Sequence, residues 1–538
     1  MMHNALARSK TTTDKIKLSA HLCLIAIAFF LAAYTQLWHF TTVPGLHFDE
    51  AWQGLYAHRI ATEANFWPAS AMNSYTTPVV HYFLALVFKV FSPTLEAMRG
   101  FYAAINLVTL GLIAALIARF RGSLAATWFT GLWALLPLSI HNHRFYVELT
   151  GFHGFCFALL LWGLALWKTR PRIAIVLIGS SVMLGAYSHV LFIATYLAAL
   201  VVLPMFFEKE FKSPRVRLTI ALIAFFLVPL TLRMGIGLKK PLPFLLASVL
   251  FMLGFIVASA SKLGLSRKIW DGWITHSKLF SKIAMLGAIP FLIAFVFLHW
   301  NGLWPYAQAT GHLHKFWLPV NAILFLGLGL HSYRMRKKHD QSRLYWQFFL
   351  VNFFISSLLI FKQSPRYYMV STLIAMAWVS IGLAQIKIRQ AQAAIAVVFV
   401  AWNLFAFQKF YITQFEREGS TTLEFKLGPF HDNGRDFRPF QKVFAFMVEK
   451  NCQDNMRWVE DDRFLLPIEF LRLTAPPADP KGPQCPWPRE NLFFSHIPNY
   501  DENFRGIRDD RNTPPPVANV KFLAHFLEWG DLALWMRR

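Results

Sequence analysis

The segment LSAHLCLIAIAFFLAAYTQLWHF, residues 18–40, decides the general architecture, because this apolar run contains no Asp, Glu, Lys or Arg. About 20 such residues in a helix cross the hydrocarbon core of a bilayer. The run is preceded by Arg8, Lys10, Lys15 and Lys17, and no small-residue cleavage site follows it. We therefore predict a retained first membrane helix whose N-terminus lies in the cytoplasm.

Comparable apolar runs recur through the first 412 residues. Hydrophobic residues make up 55% of the 538-residue chain, and charged residues only 15%, whereas soluble proteins usually carry about 25% charged residues. The runs predict an α-helical polytopic membrane protein with about 13 transmembrane helices. The basic clusters between the runs fall mainly on the side of the N-terminus, as the positive-inside rule requires.

The net charge of +24 is unevenly distributed along the chain. Residues 413–538 hold 17 Lys and Arg against 19 Asp and Glu, which leaves 36 basic and 10 acidic residues for residues 1–412. The basic excess lies mostly in short loops between apolar runs, which is how membrane proteins fix their orientation. A nucleic-acid-binding face would be more continuous and more exposed. We therefore expect the basic residues to interact with the lipid bilayer, and we expect no nucleic-acid partner.

The chain divides into a membrane module of residues 1–412, whose first outer loop covers residues 41–99, and a C-terminal domain of residues 413–538. In the second domain, residues 437–450 have helical spacing, and strand-like stretches occur at residues 456–460, 491–495 and 517–526. Pro-rich connectors separate them, so we predict a small α/β domain. An odd number of spans places this domain on the extracytoplasmic side.

Two of the four cysteines, Cys452 and Cys485, lie in this C-terminal domain. They lack the CxxC or His-rich neighbourhood of a zinc site. In an extracytoplasmic domain they either form a disulfide or stay as two unpaired thiols, and the sequence leaves both alternatives open.

Carboxylates are rare before residue 413, and the predicted topology places five of them outside: Asp49, Glu50, Glu63, Glu96 and Glu148. Asp49 and Glu50 are adjacent and open an amphipathic stretch at residues 51–64, which a second such stretch follows at residues 79–91. An acidic pair at a helix start near the membrane surface suits capture of an acceptor proton or of a divalent cation. The same position also suits helix capping.

Four short motifs carry a resemblance to a known family. They are Phe48-Asp49-Glu50-Ala51, then Tyr75-Thr76-Thr77-Pro78 with Arg99 after it, then Arg144-Phe145-Tyr146, and finally Ser364-Pro365-Arg366-Tyr367-Tyr368. With these motifs the chain resembles the GT-C superfamily of polyprenyl-phosphate-sugar-dependent glycosyltransferases. It looks most like the protein-mannosyltransferase and aminoarabinose-transferase branch.

The resemblance implies transfer of a sugar from a polyprenyl-phosphate carrier to a glycan, lipid or protein acceptor, on the extracytoplasmic face and with inversion. It gives Asp49 the role of base or metal-associated carboxylate, with Glu50 as its neighbour, so these two are the predicted catalytic residues. Whether a divalent cation takes part is left open. Thr76-Thr77-Pro78 stands where many relatives of the aminoarabinose branch have Lys-Pro-Pro, so a lysine contact to the carrier phosphate is absent.

A departing lipid phosphate needs cationic partners. Four outward-facing basic residues are the predicted donor-phosphate contacts: Arg366, Arg233, Lys239 and Arg144. Snorkelling of these side chains to lipid headgroups is the alternative. Three further residues are predicted to lie near the substrate: Glu148, Tyr367 and His58.

The predicted function is therefore that of a multi-pass glycosyltransferase in a bacterial-type inner membrane. A transporter or flippase of a lipid-linked glycan is the alternative, since it would also need many spans and basic phosphate contacts. The long outer loop, the large C-terminal domain and the lack of related halves favour the enzyme. A polymerase or ligase that uses a lipid-diphosphate oligosaccharide is a third, chemically related hypothesis.

Overall fold

The computed structural model describes residues 12–43, 45–68, 78–136, 139–140, 143–144, 151–167, 169–186, 188–189, 192–206, 265–298, 340–360, 369–412, 440–453, 462–485, 492–496, 520–526 and 532–537, together with residues 225, 228, 249 and 252.

Helices make up most of this part of the chain. In chain order they are α1 (Thr12–Leu37), α2 (Phe48–Thr62), α3 (Val79–Val90), α4 (Leu95–Arg121), α5 (Ser123–Leu135), α6 (Gly151–Leu166), α7 (Pro171–Ala186), α8 (Ile193–Phe206), α9 (Leu265–Leu298), α10 (Asp340–Ile360), α11 (Met369–Ala384), α12 (Arg389–Ala406), α13 (Phe440–Glu449) and α14 (Asp462–Arg472). A π-helical turn, Phe407–Ile412, continues α12. Three strands follow: β1 (Leu492–His496), β2 (Val520–Phe526) and β3 (Leu532–Arg537).

Three stretches of the described chain are helices long and apolar enough to cross a membrane: Ser19–Leu37, Leu95–Arg121 and Arg389–Lys409. Large apolar side chains on their outer faces are not covered by protein, such as Ile27 and Phe30 on α1 and Val397 on α12. Lipid tails solvate such faces as well as a protein interior does. The chain is therefore a membrane protein, whereas the number of about 13 spans stays a prediction.

The ends of the helices follow local chemistry. Helix α4 begins after Thr94, whose side chain accepts a hydrogen bond from the Ala97 N–H at 3.1 Å. It ends at Gly122, which adopts φ +91°, a conformation that favours glycine. Gly122 separates α4 from α5, and the two helices pack against each other. The basic residues Arg119 and Arg121 between two apolar runs predict a break at this point.

Buried polar side chains join some of the helices across the bundle. Asn352 of α10 donates to Thr195 of α8 at 3.2 Å and accepts from Ser371 of α11 at 2.7 Å. All three residues are buried. Interhelical hydrogen bonds of this kind help to fix helix packing where no hydrophobic driving force between helices exists.

Several helix predictions match the structure, and one differs. The apolar run 173–207 is long enough for two short spans and predicts a turn near residue 188; its halves become α7 and α8. The basic residues from Lys262 to Lys282 predict a loop before a span that begins near residue 283, but helix α9 starts at Leu265 and includes Lys278 and Lys282. Lys and Arg are good helix formers, so the helix continues through the basic segment that had been assigned to a loop.

Helices α2 and α3 lie at the two stretches of residues 41–99 that the sequence predicts to be amphipathic. Helix α2 packs against α3, which buries Val80, His81, Leu84, Ala85 and Phe88. The exposed face of α3 is also apolar, with Leu86 and Val90 uncovered. Helix α2 begins at Phe48 and not at Ala51, which places both members of the acidic pair inside its first turn.

The described residues of the C-terminal region form two helices and a three-stranded antiparallel sheet with the strand order β1-β3-β2. Residues 437–450 were predicted to be helical, and α13 lies within them; β1 and β2 lie at or next to two of the predicted strands. The central strand β3 and helix α14 were not predicted. The predicted strand 456–460 lies outside the described residues.

The C-terminal region packs directly on the first outer loop. Phe470 of α14 is buried against Gly54 of α2, so closely that a Cβ at residue 54 would overlap its ring. Cys452 and Cys485 form a disulfide with their Cα atoms 4.9 Å apart. The helix that carries the acidic pair therefore lies between the membrane bundle and the C-terminal helices.

Candidate active site

The acidic pair lies at the N-terminus of α2, where a capping box fixes the first turn. His47 is the N-cap, and its Nδ1 accepts a hydrogen bond from the Asp49 N–H at 3.0 Å. In return, Oε2 of Glu50 accepts from the His47 N–H at 3.0 Å. Glu50 thus provides the capping function that the sequence left open for the pair.

Glu50 is fully buried and forms an ion pair with Arg99 of α4. Arg99 donates through Nε to Oε1 at 2.9 Å and through Nη2 to Oε2 at 2.6 Å. It also donates to the carbonyl oxygens of Phe40 at 2.5 Å and Gly45 at 3.0 Å. Because both carboxylate oxygens of Glu50 are engaged inside the protein, its surroundings are those of a structural group rather than of a catalytic one.

Arg144 is also buried, and its donors are directed at the end of the first helix. Its guanidinium donates to the carbonyl oxygens of Thr35, Trp38 and Val43 and lies 5.4 Å from the centre of the Phe407 ring. The last carbonyl groups of a helix lack partners within the helix, and Arg144 satisfies them. This placement speaks against the predicted phosphate contact by Arg144, because the donors that would bind a phosphate are already used.

Three distant side chains therefore hold the segment between α1 and α2. Arg144 binds carbonyl groups from Thr35 to Val43, Arg99 binds those of Phe40 and Gly45, and Gln441 of α13 binds the main chain of Thr41 and Leu46. Several buried contacts over so short a segment restrict its conformations. The start of α2 is consequently held in a defined position relative to the bundle.

Asp49 differs from its neighbour in its surroundings. Its side chain is 29% exposed, and Oδ2 lies 3.7 Å from Nδ1 of His47. The N-terminus of a helix carries a partial positive charge, which favours a carboxylate over a neutral acid. Asp49 is thus held on a fixed turn and is partly exposed to solvent, so it can come within hydrogen-bond reach of an acceptor proton, as a general base must.

An aromatic cluster borders Asp49 on the same face of α2. Trp52 and Tyr56 lie three and seven residues after Asp49, and helical periodicity places such residues on one face. His81 of α3 contacts both rings edge-on, with centroid distances of 5.1 and 5.2 Å. The sequence interpretation missed this cluster, although the spacing of Asp49, Trp52 and Tyr56 is a signal that could have indicated it.

His58 does not join Asp49. Nine residues separate them, so at about 100° per residue their side chains leave opposite faces of the helix. Burial lowers the pKa of His58, and the nearby Glu63 carboxylate opposes this shift. Glu63 itself pairs with Arg59 at 2.7 Å on the surface, and the hydrogen bond from Arg59 lowers the pKa of that carboxyl. His58 therefore belongs to the outer surface of α2.

The other predicted site residues, Glu148, Arg233, Lys239, Arg366 and Tyr367, lie outside the described residues. Within the ranges given above, no group of three or more His, Cys, Asp or Glu side chains is arranged to hold a metal ion. The sequence selects Asp49 as a metal-associated carboxylate, and its Oδ2 lies 3.7 Å from Nδ1 of His47.

Comparisons with known proteins give a distant structural likeness. No protein-family model and no curated protein matches the sequence. Among solved structures, the chain is similar to the oligosaccharyltransferase of Archaeoglobus fulgidus in complex with Zn and sulfate, with 13% identity, a TM-score of 0.44 and 86% of this chain covered. The archaeal oligosaccharyltransferase AglB from the same organism, in complex with an inhibitory peptide and a dolichol-phosphate, gives 13% identity and a TM-score of 0.45.

The chain covers 58% and 61% of the length of these two structures. The protein-mannosyltransferase and aminoarabinose-transferase branch stays a prediction from the sequence motifs.

Proposed function

We propose that this protein is a membrane glycosyltransferase of the GT-C type, which transfers a sugar from a polyprenyl-phosphate carrier to an acceptor on the extracytoplasmic face. The observation that carries the proposal is the division of the acidic pair. Glu50 is buried against Arg99, whereas Asp49 stays accessible one residue earlier on the same rigid turn. Glu50 therefore has a structural role, and we propose that the partly exposed Asp49 is the carboxylate that reacts.

In the proposed reaction, Asp49 takes the proton of an acceptor hydroxyl or amine. The acceptor attacks the anomeric carbon, the bond from that carbon to the phosphate oxygen breaks, and the polyprenyl phosphate leaves with the bonding electrons. One displacement inverts the anomeric configuration. Arg366, Arg233 and Lys239 are the proposed contacts to the leaving phosphate, while Arg144 is removed from this set because of its carbonyl partners.

The position of α2 supports an interfacial site. The helix follows directly on a helix that is long and apolar enough to span the membrane, and it packs against the apolar helix α3. A polyprenyl-phosphate donor carries its phosphate at the membrane surface and its chain in the lipid. Asp49 at the end of the first span would therefore meet the reacting end of such a donor. We propose an extracytoplasmic orientation for this loop and for the C-terminal domain, in a bacterial-type inner membrane.

A transfer assay tests the proposal against the transporter alternative. The purified chain is reconstituted in liposomes with a radiolabelled polyprenyl-phosphate sugar and an extract of surface glycans, glycolipids and proteins from the source membrane. We expect label to move to an acceptor and polyprenyl phosphate to be released. Movement of the intact labelled donor between leaflets, without release of polyprenyl phosphate, would instead identify a transporter.

A further inference from the structure

The C-terminal region contacts the turn ahead of Asp49 through one side chain. Gln441, in the first turn of α13, donates through Nε2 to the Thr41 carbonyl at 3.0 Å and accepts through Oε1 from the Leu46 N–H at 3.3 Å. These two backbone groups lie at either end of the turn that leads into α2. Gln441 therefore bridges the two ends of this turn.

A second contact reaches α2 itself. Phe470 of α14 is 1% exposed, and its ring lies directly on Gly54. Gly54 lies four residues after Glu50, one helical turn further along. Since a residue with a Cβ would displace the ring, Gly54 and Phe470 form a contact that depends on the absence of a side chain at residue 54.

Covalent and polar contacts join α13 and α14 into one unit. The disulfide connects Cys452, just after α13, with Cys485 in the segment after α14. Arg472 donates to the Gln453 carbonyl at 2.8 Å, and the side chain of Asn451 accepts from the Asp479 N–H at 2.8 Å. The contacts through Gln441 and Phe470 are therefore made by one connected body.

We propose that residues 440–453 and 462–485 form a clamp that positions Asp49, with Gln441 and Phe470 as positioning residues. This inference rests on the proposed function of Asp49. Neither residue is placed to touch the reacting atoms; both act through α2 and the turn before it. A base works only within hydrogen-bond reach of its proton, and a displacement of about 1 Å can reduce a rate about 100-fold.

The first test compares Gln441→Ala with Glu449→Ala, an exposed residue of the same helix. For Gln441→Ala we expect kcat for sugar transfer to fall about 10- to 100-fold, with little change in KM for the donor, because no donor contact is removed. Backbone hydrogen exchange in residues 41–46 should increase in the same variant, since the Leu46 N–H loses its acceptor. Glu449→Ala should match the wild type in both measurements.

A second test removes the disulfide by the double change Cys452→Ala and Cys485→Ala. We expect faster exchange in residues 41–46 and a lower kcat here as well, because the segments that carry Gln441 and Phe470 lose their covalent link. Wild-type exchange in this segment together with wild-type kcat in both variants would overturn the clamp. If the wild type itself transfers no sugar, the proposed function fails, and the exchange comparison alone then decides whether the clamp exists.

Discussion

Replacement of Asp49 by Asn is expected to abolish sugar transfer while the protein still inserts and folds. The variant keeps the size of the side chain and loses the ability to take a proton. General base catalysis contributes about 100- to 10,000-fold to a rate, so we expect transfer to fall by at least the lower of these factors. Asp49 is 29% exposed, so we expect the change to cost less stability than the same neutralisation at a fully buried carboxylate.

The matched control for this prediction is Glu63→Gln, which neutralises another carboxylate, at the opposite end of the same helix. Glu63 lies on the surface and pairs with Arg59, so its neutralisation should leave transfer near the wild-type rate. The measurement is transfer of radiolabelled sugar per folded molecule, with folding checked by size-exclusion chromatography in detergent. Full activity of the Asp49→Asn variant would remove Asp49 from the mechanism.

Replacement of Glu50 by Gln is expected to act mainly on the fold, with a large loss of stability, whereas Asp49→Asn is expected to act mainly on transfer. The change leaves the Arg99 guanidinium buried at 2% exposure without its counter-charge. Breaking a buried ion pair in this way typically costs about 3–5 kcal/mol. It also weakens the capping box, since Gln accepts less strongly than a carboxylate from the His47 N–H. We therefore expect a lower midpoint of thermal unfolding and a lower yield of folded protein.

The pair Arg59–Glu63 provides the internal standard for this second prediction. Here too the guanidinium donates to both carboxylate oxygens, from Nε to Oε1 at 2.7 Å and from Nη2 to Oε2 at 3.0 Å. Both side chains, however, are about half exposed. Exposed ion pairs contribute little to stability, so Glu63→Gln should barely change the unfolding midpoint. If Glu50→Gln unfolds at the same temperature as Glu63→Gln, Glu50 does not have the structural role that its burial indicates.

Much of the local structure was predictable because it follows from periodicity and from neighbouring residues. The two loop helices, the division of residues 173–207 and the location of Asp49 and Glu50 at a helix start all depend on short stretches of chain. The start of α9 could not be predicted in this way, because a basic segment before an apolar run is typical of a loop, whereas Lys and Arg are also compatible with a helix that extends beyond the lipid.

The long-range partners could not be predicted in the same way. Arg99 lies 49 residues from Glu50, and Gln441 lies 395 residues from Leu46. The sequence places Asp49 and Glu50 on one turn but does not show which of them is buried, because this depends on the distant partner Arg99. Arg144 likewise reads as an outward-facing cation, until the carbonyl groups at the end of α1 are found around it. The central strand β3 was missed because its terminal segment LALWMR lacks polar alternation.

The central claim is that Asp49 lies at the extracytoplasmic surface, and side-specific labelling tests it most directly. Glu63→Cys, on the exposed end of α2, and Arg121→Cys, at the other end of α4, are each introduced after Cys23 and Cys156 have been replaced by Ser. A membrane-impermeant maleimide should label residue 63 in sealed cells and residue 121 only after permeabilisation. Labelling of residue 63 only in permeabilised cells would contradict the account, because Asp49 would then face the cytoplasm.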